Sequence, residues 1–182
     1  MKTMTTYTSQ SPIRLVQFSD CHVHGNPEAR YRGIDSRQAF NACLSEIRDY
    51  GPDLLVGTGD LSEDYSEGSY RFLRKKLADS AISYLTLPGN HDDAPRQARI
   101  MGDCPVTWAI TRDLGNWRLV LLNSAVEGEV PGTLSAEMLA SLDRAMNDWA
   151  GPKAVFLHHQ PLPVGSPWID RYPLTQASKL WD

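Results

Sequence analysis

The chain lacks any run approaching the roughly 20 apolar residues that a transmembrane helix needs. Its 182 residues therefore suit one water-facing domain with a sizeable core, with no membrane partner. Cysteine is scarce: Cys21, Cys43 and Cys104 are odd in number and spaced like neither a disulfide framework nor a CxxC zinc site. That pattern fits a reducing, cytoplasmic location, with all three expected as small buried thiols. Positive charge is short as well. Eighteen Lys and Arg against 22 Asp and Glu leave a net charge of -4, so there is no basic field for a polynucleotide. A small anionic substrate would need local help, such as metal cations. Met1 to Pro12 is polar and Thr/Ser-rich, without the apolar core of a signal peptide or anchor, and is expected to be a disordered leader before a domain over 13–182.

What is present gathers at the ends of short apolar runs. Ile82 to Leu87 stops abruptly at Pro88-Gly89 and continues as Asn90-His91-Asp92-Asp93, which reads as the carboxyl end of a buried strand opening into a site. Ligands bind at that edge of α/β sheets. Ile13 to Phe18 ends likewise in Ser19-Asp20-Cys21-His22-Val23-His24-Gly25, and Leu54 to Val56 runs into Gly57-Thr58-Gly59-Asp60. Between them, Asp35 to Tyr50 carries Phe40, Cys43, Leu44 and Ile47 at helical spacing and stops at Gly51-Pro52. Ser66 is a candidate cap for a helix presenting Tyr70, Leu73 and Leu77, with Arg71, Arg74, Lys75 and Lys76 forming a solvated face. Right-handed βαβ units place such strand ends on one edge of a sheet.

The second half changes pattern. Val106 to Thr111 and Trp117 to Asn123 are expected to pair as a hairpin across Asp113-Leu114-Gly115-Asn116. Ser135 opens a helix with Leu139, Leu142, Met146 and Trp149 inward, ended by Gly151-Pro152. A strand over Lys153 to Leu157 then leads to His158-His159-Gln160-Pro161.

Singly, these pieces are weak, since Asp-x-His, Gly-Asp and a lone strand-end histidine are common. Together they place Asp20, His22, Asp60, Asn90 and His158 at successive strand ends. This donor set of carboxylates, imidazoles and a neutral amide oxygen suits divalent cations. It could ring two ions about 3.5 to 4 Å apart, as in two-metal hydrolytic sites, and Asp60, from the middle of the series, is the natural bridging carboxylate.

These blocks resemble the calcineurin-like metallophosphoesterases, whose pattern runs Asp-x-His, Gly-Asp, Gly-Asn-His-Asp/Glu, a later strand-end His, and finally Gly-His-x-His. The first four occur here in order. Gly59 to Ser62, Tyr70, Gly89 to Asp92, His158 to Pro161 and Trp168-Ile169-Asp170 are similar to the branch containing class III cyclic nucleotide phosphodiesterases. The resemblance implies an α/β fold, an αββα sandwich of mixed β-sheets. It also implies a phosphoesterase that hydrolyses small phosphodiesters of cyclic nucleotide or glycerophosphodiester type by attack of a metal-bridging hydroxide. One metal would take Asp20, His22 and Asp60, and the other Asp60, Asn90 and His158, the ions being manganese, iron, zinc or cobalt. Asn90 and His91 would contact substrate, with His91 stabilising charge or protonating the departing oxygen, and Asp92 would orient the turn or His91.

No Gly-His-x-His follows His158 before Asp182. The expected fold thus lacks its C-terminal strands and each ion one histidine, a loss expected to lower metal affinity or activity at least 10- to 100-fold. A longer parent sequence is the favoured explanation, over a natural short form or completion by a partner. An open sheet edge and uncovered Leu174, Leu180 and Trp181 would also invite a second copy. Two other readings compete. Asp20-Cys21-His22-Val23-His24 also looks like the first-strand HxH of amidohydrolase or PHP-type barrels, but those need about seven or eight strand–helix units, too many for this length. The other is an incomplete or degenerate domain acting as a non-catalytic interaction module. His24 is expected as a loop residue or substrate contact, and His159 as structural or as a support behind the metal ligands. Glu63 and Asp64 are open between orienting His91 and lying in a solvated turn. Substrate choice is expected to lie in the loops 26–33, 126–132 and 163–172.

Overall fold

A computed structural model describes residues 12–181, so the leader expectation lies, except for Pro12, outside the described residues. The first half alternates β1 (Leu15–Phe18), α1 (Ser36–Tyr50), β2 (Leu54–Thr58), α2 (Glu67–Asp79), β3 (Tyr84–Leu87) and α3 (Ala94–Met101). The second contains β4 (Ile110–Leu114), β5 (Trp117–Leu121), α4 (Ala136–Asn147) and β6 (Lys153–Phe156), then two short 3-10 turns at Ile169–Arg171 and Ala177–Leu180. Strands β1, β2 and β3 form a parallel sheet in that order. In the second sheet, ordered β4-β5-β6, β5 is antiparallel to β4 and parallel to β6.

The period of two along each strand builds the layers. Leu54, Val56, Leu85 and Leu87 face Leu119 and Leu121 across the two sheets. Leu55, between two inward-facing neighbours, instead packs with Phe40, Leu44, Tyr70, Leu73 and Leu77 of α1 and α2. Val120 and Leu122 likewise turn to Met138, Leu142 and Ala145 of α4. The result is the expected αββα sandwich of two three-stranded sheets, which rules out the barrel reading for the described residues.

Helix starts follow the capping rule: Asp35, Ser66, Asp93 and Ser135 each accept a backbone N–H three residues on. Gly51, at φ 65, closes α1 in the left-handed conformation.

Several expectations need correction. Helix α3 was not anticipated. At eight residues it is too short for a periodic signal, although Asp93 followed by Pro95 is a helix-start pattern. Strand β4 begins only at Ile110, and since Leu114 pairs Trp117 the hairpin turn is Gly115-Asn116 alone. Helix α4 is rotated from the expected face: Met138, Leu142 and Ala145 are buried, whereas Met146 is exposed and Trp149 is half-buried beneath the Arg118 guanidinium. Cys43 is exposed, Cys21 half-buried, and only Cys104 is buried. Leu174 is buried and Leu180 packs on the α4 core, while Trp181 stays exposed. No described helix is long and apolar enough to cross a membrane.

Candidate metal centre

Three turns leave the carboxyl edge of the parallel sheet. The first two continue the β1–β2 ladder past the strand ends, with Asp20 N–H on the Gly59 carbonyl, His22 N–H on the Asp60 carbonyl and Val23 N–H on the Leu61 carbonyl, at 2.9–3.0 Å. Within this frame Asp20, His22 and Asp60 all take left-handed backbone angles, with φ of 56°, 43° and 51°. Non-glycine residues adopt this region at a cost of about 1–3 kcal/mol each, which persists only where surrounding bonds over-determine it. Strain concentrated on the residues singled out by their chemistry marks a site.

The third turn is stapled to the second by Asp92. Its carboxylate accepts the backbone N–H groups of Leu61, Ser62 and Gly89 and the Tyr70 hydroxyl, all at 3.0–3.1 Å. Burial raises the Asp92 pKa, against the pull of its three backbone donors and with the help of the Asp60 charge. Tyr70 in turn accepts Asp93 N–H at 2.9 Å, linking α2 to the start of α3. Asp92 therefore orients the turn, as expected.

Gly89 lets this turn approach. A Cβ there would meet Asp60 Oδ1 at 2.2 Å and His158 Nε2 at 2.9 Å. The small residues of the motif thus serve proximity as much as turn geometry.

Asp60, only 5% exposed, is the focus. His22 Nε2 lies 3.8 Å from its Oδ2, and His158 Nε2 lies 3.5 Å from its Oδ1, which also accepts His91 N–H at 2.9 Å. Both imidazoles are anchored through the other nitrogen: His22 Nδ1 on Glu63 Oε2 at 2.7 Å, and His158 Nδ1 on the Thr58 carbonyl at 2.9 Å. A proton on each Nδ1 leaves each Nε2 with a lone pair turned toward Asp60, the arrangement of a metal-ligating histidine with its outer hydrogen bond. His22 also stacks on Tyr31 at 4.1 Å.

Two groups of donor atoms are close enough to hold a cation: Asp20 with Asp60 and His158, and His22 with Glu63 and His91. The five expected ligands meet in one cleft of about 370 Å³, which His91 also lines. Asp20, two residues before His22 in the chain, lies on the His158 side of Asp60. Glu63, left open by sequence, hydrogen-bonds His22 and lies 3.2 Å from His91 Nδ1. Its only sequence signal was its position three residues after Asp60.

His24 does not line the cleft and sits 3.8 Å from Asp64, so it is a loop residue. Asp64 holds Gly25 N–H at 2.8 Å instead of touching His91. Its pKa is lowered because hydrogen bonds from Gly25 and Ser66 outweigh the upward push of partial burial. His159 is buried between the Ser124 hydroxyl at 2.8 Å and the Val130 carbonyl at 2.9 Å. Burial, then neighbouring His158, pushes its pKa down to about 4, in keeping with a structural role. All three loops expected to shape specificity reach the cleft, through Tyr31 and Arg32, Val130, and Trp168, Ile169 and Tyr172.

The family model described as Calcineurin-like phosphoesterase matches residues 13–179. A Pseudomonas aeruginosa protein named 3',5'-cyclic adenosine monophosphate phosphodiesterase CpdA is 35% identical over 181 residues, 97% of this chain and 66% of that protein. A Nostoc protein named 3',5'-cyclic-nucleotide phosphodiesterase alr5338 is 37% identical over 173 residues, 93% of this chain and 65% of its own. The chain thus spans just under two thirds of the length of these curated relatives. A solved structure titled as a dimetal phosphatase from Danio rerio superposes with a TM-score of 0.71 over 93% of this chain and 76% of that one, at 14% identity, a likeness of fold alone.

Proposed function

The chain belongs to the calcineurin-like phosphoesterase family, and from that premise we propose that it is a dinuclear-metal-dependent hydrolase of small phosphodiesters of the cyclic nucleotide type. The observation that carries this reading is the buried Asp60 carboxylate, flanked by two imidazole Nε2 atoms whose Nδ1 partners hold them facing it. Asp20, His22 and Asp60 would hold one ion, and Asp60, Asn90 and His158 the other. The donor set fits: hard carboxylate and amide oxygens with borderline imidazoles suit manganese, iron, zinc or cobalt, and Asp60 would be shared between the two ions.

Divalent cations bound there would polarise the phosphate and bring the pKa of water toward neutrality. They would also offset the acidity of a protein of net charge -4, at whose cleft Asp20 and Asp60 alone would repel a phosphate. His91 would serve the departing oxygen. Glu63 Oε2 lies 3.2 Å from its Nδ1, and the ring lines the cleft. In the protonated form that ring would supply the hydrogen that the leaving ester oxygen needs when the P–O bond breaks. The names of the two relatives support a 3',5'-cyclic nucleotide as substrate.

The test is metal content per chain by elemental analysis after gentle purification, with hydrolysis of bis-p-nitrophenyl phosphate and 3',5'-cyclic AMP followed with and without manganese. Two metals per chain and manganese-dependent turnover, lost in Asn90→Ala and His91→Ala, are expected. Turnover that needs no metal would overturn the reading.

A further inference from the structure

The cleft contains one Arg or Lys among its lining residues, Arg32. Its place is unusual. Tyr31 and Ile34 bond each other in both directions, N–H to carbonyl at 2.9 Å, so Arg32 and Gly33 are the two central residues of a tight hairpin turn. Both have positive φ, 49° and 83°, the signature of a type I′ turn. Asn or Gly is favoured at its first position because a larger side chain is strained there.

The turn is coupled to the metal centre. The Arg32 guanidinium lies 5.2 Å from the centre of the Tyr31 ring, and that ring stacks on His22. A guanidinium lying over an aromatic ring keeps its N–H edges free for an anion. Other arginines nearby are committed: Arg30 to Asp35 and to the Pro27 and Ala29 carbonyls, Arg37 to the His24 and Gly25 carbonyls. Arg32 makes no ion pair or side-chain hydrogen bond among the described residues. A strained cation without an internal partner, at the mouth of a cleft otherwise supplied with carboxylates and imidazoles, is placed for an external anion.

We propose that Arg32 is a substrate-binding residue that takes a phosphoryl oxygen at the mouth of the cleft. The proposal rests on the phosphoesterase reading above. It adds to that reading a positive charge of the chain's own, fixed against the aromatic ring that also packs on His22. Arg32 acts on binding, so its loss falls on KM and not on kcat.

The turn geometry supplies a test that separates function from structure. Asn suits the left-handed position better than Arg, so Arg32→Asn removes the charge while relieving the turn. In the manganese-loaded full chain, Arg32→Asn is expected to raise KM for bis-p-nitrophenyl phosphate about tenfold or more, with kcat unchanged and Tm equal to or above wild type. The Kd for inorganic phosphate, by calorimetry, should weaken by a similar factor. Arg32→Lys should recover part of both, and the wild-type advantage should shrink with added salt. Arg30→Asn removes a charge from the same loop outside the cleft and should leave KM as it is. Wild-type KM and phosphate Kd in Arg32→Asn would overturn the assignment, as would an equal loss in Arg30→Asn or a fall in Tm that accompanies the loss. A wild-type chain that neither hydrolyses the diester nor binds phosphate would instead overturn the phosphoesterase reading, and this assignment with it.

Discussion

The two halves of the sandwich contribute unequally. The parallel sheet β1–β3 supplies Asp20, His22, Asp60, Asn90 and His91 on three turns, the first two strained at Asp20, His22 and Asp60, which cross-strand backbone bonds and the Asp92 carboxylate lock together. The mixed sheet β4–β6 supplies His158 alone, and even this side chain takes its orientation from Thr58 of the other sheet. Beyond it, the second half presents Leu162, Val164 and Trp168 to solvent. One region is built to hold a geometry. The other closes the ring from across the sheets and walls the cleft.

If that contrast is right, removing a donor from each half should differ in kind. Asp60→Ala is expected to lose both metals and at least about 100-fold in activity, whereas His158→Ala should lose one metal and leave a measurable first site, as read by elemental analysis. Equal losses would break the comparison.

Next in size is the frame itself. Asp92→Ala strands three backbone donors and the Tyr70 hydroxyl and should destabilise the fold by about 3 kcal/mol. Ser124→Ala in the second half removes the His159 partner and should remove about 1 kcal/mol. Urea denaturation of the two variants side by side checks the ranking.

Glu63→Gln acts within the first half alone. It keeps the shape but weakens the acceptor that faces His22 and His91, with an expected 10- to 100-fold loss in metal affinity or activity and little change in the denaturation midpoint.

The smallest effect concerns Asp64, which ties Gly25 to the start of α2. Its folded pKa lies below the unfolded value, so its tie is fully present above the ordinary carboxylate range and is lost as pH falls through the folded pKa. Wild type should therefore lose slightly more stability than Asp64→Asn between neutral and strongly acid pH, measured as the shift in Tm.

Much of this was legible because local chemistry and global position coincide in an α/β fold. The caps at Ser66 and Ser135 were readable from side-chain type, and the strand ends from apolar runs that break into polar residues. Errors fell where a segment's surroundings outweigh its pattern. Several apolar positions along α4 could have faced inward, and contact with Val120 and Leu122 selected Met138, Leu142 and Ala145. Leu174, expected to be uncovered, finds cover where Thr175 and Gly132 join the two loops, the N–H to carbonyl distance being 2.7 Å.

Residue type, hydrophobic period and βαβ handedness were enough for the donor chemistry, the order of the strand-end motifs and their shared sheet edge, while the layered sandwich was implied by the family resemblance. What the packing of the sheets added is that Glu63 sits against both His22 and His91, that Asp92 faces inward onto four donors, and that Tyr31 and Arg32 reach the cleft. These are relations between turns from different elements, and nothing in the spacing of one turn encodes which atoms of another it will meet once the sheets have packed.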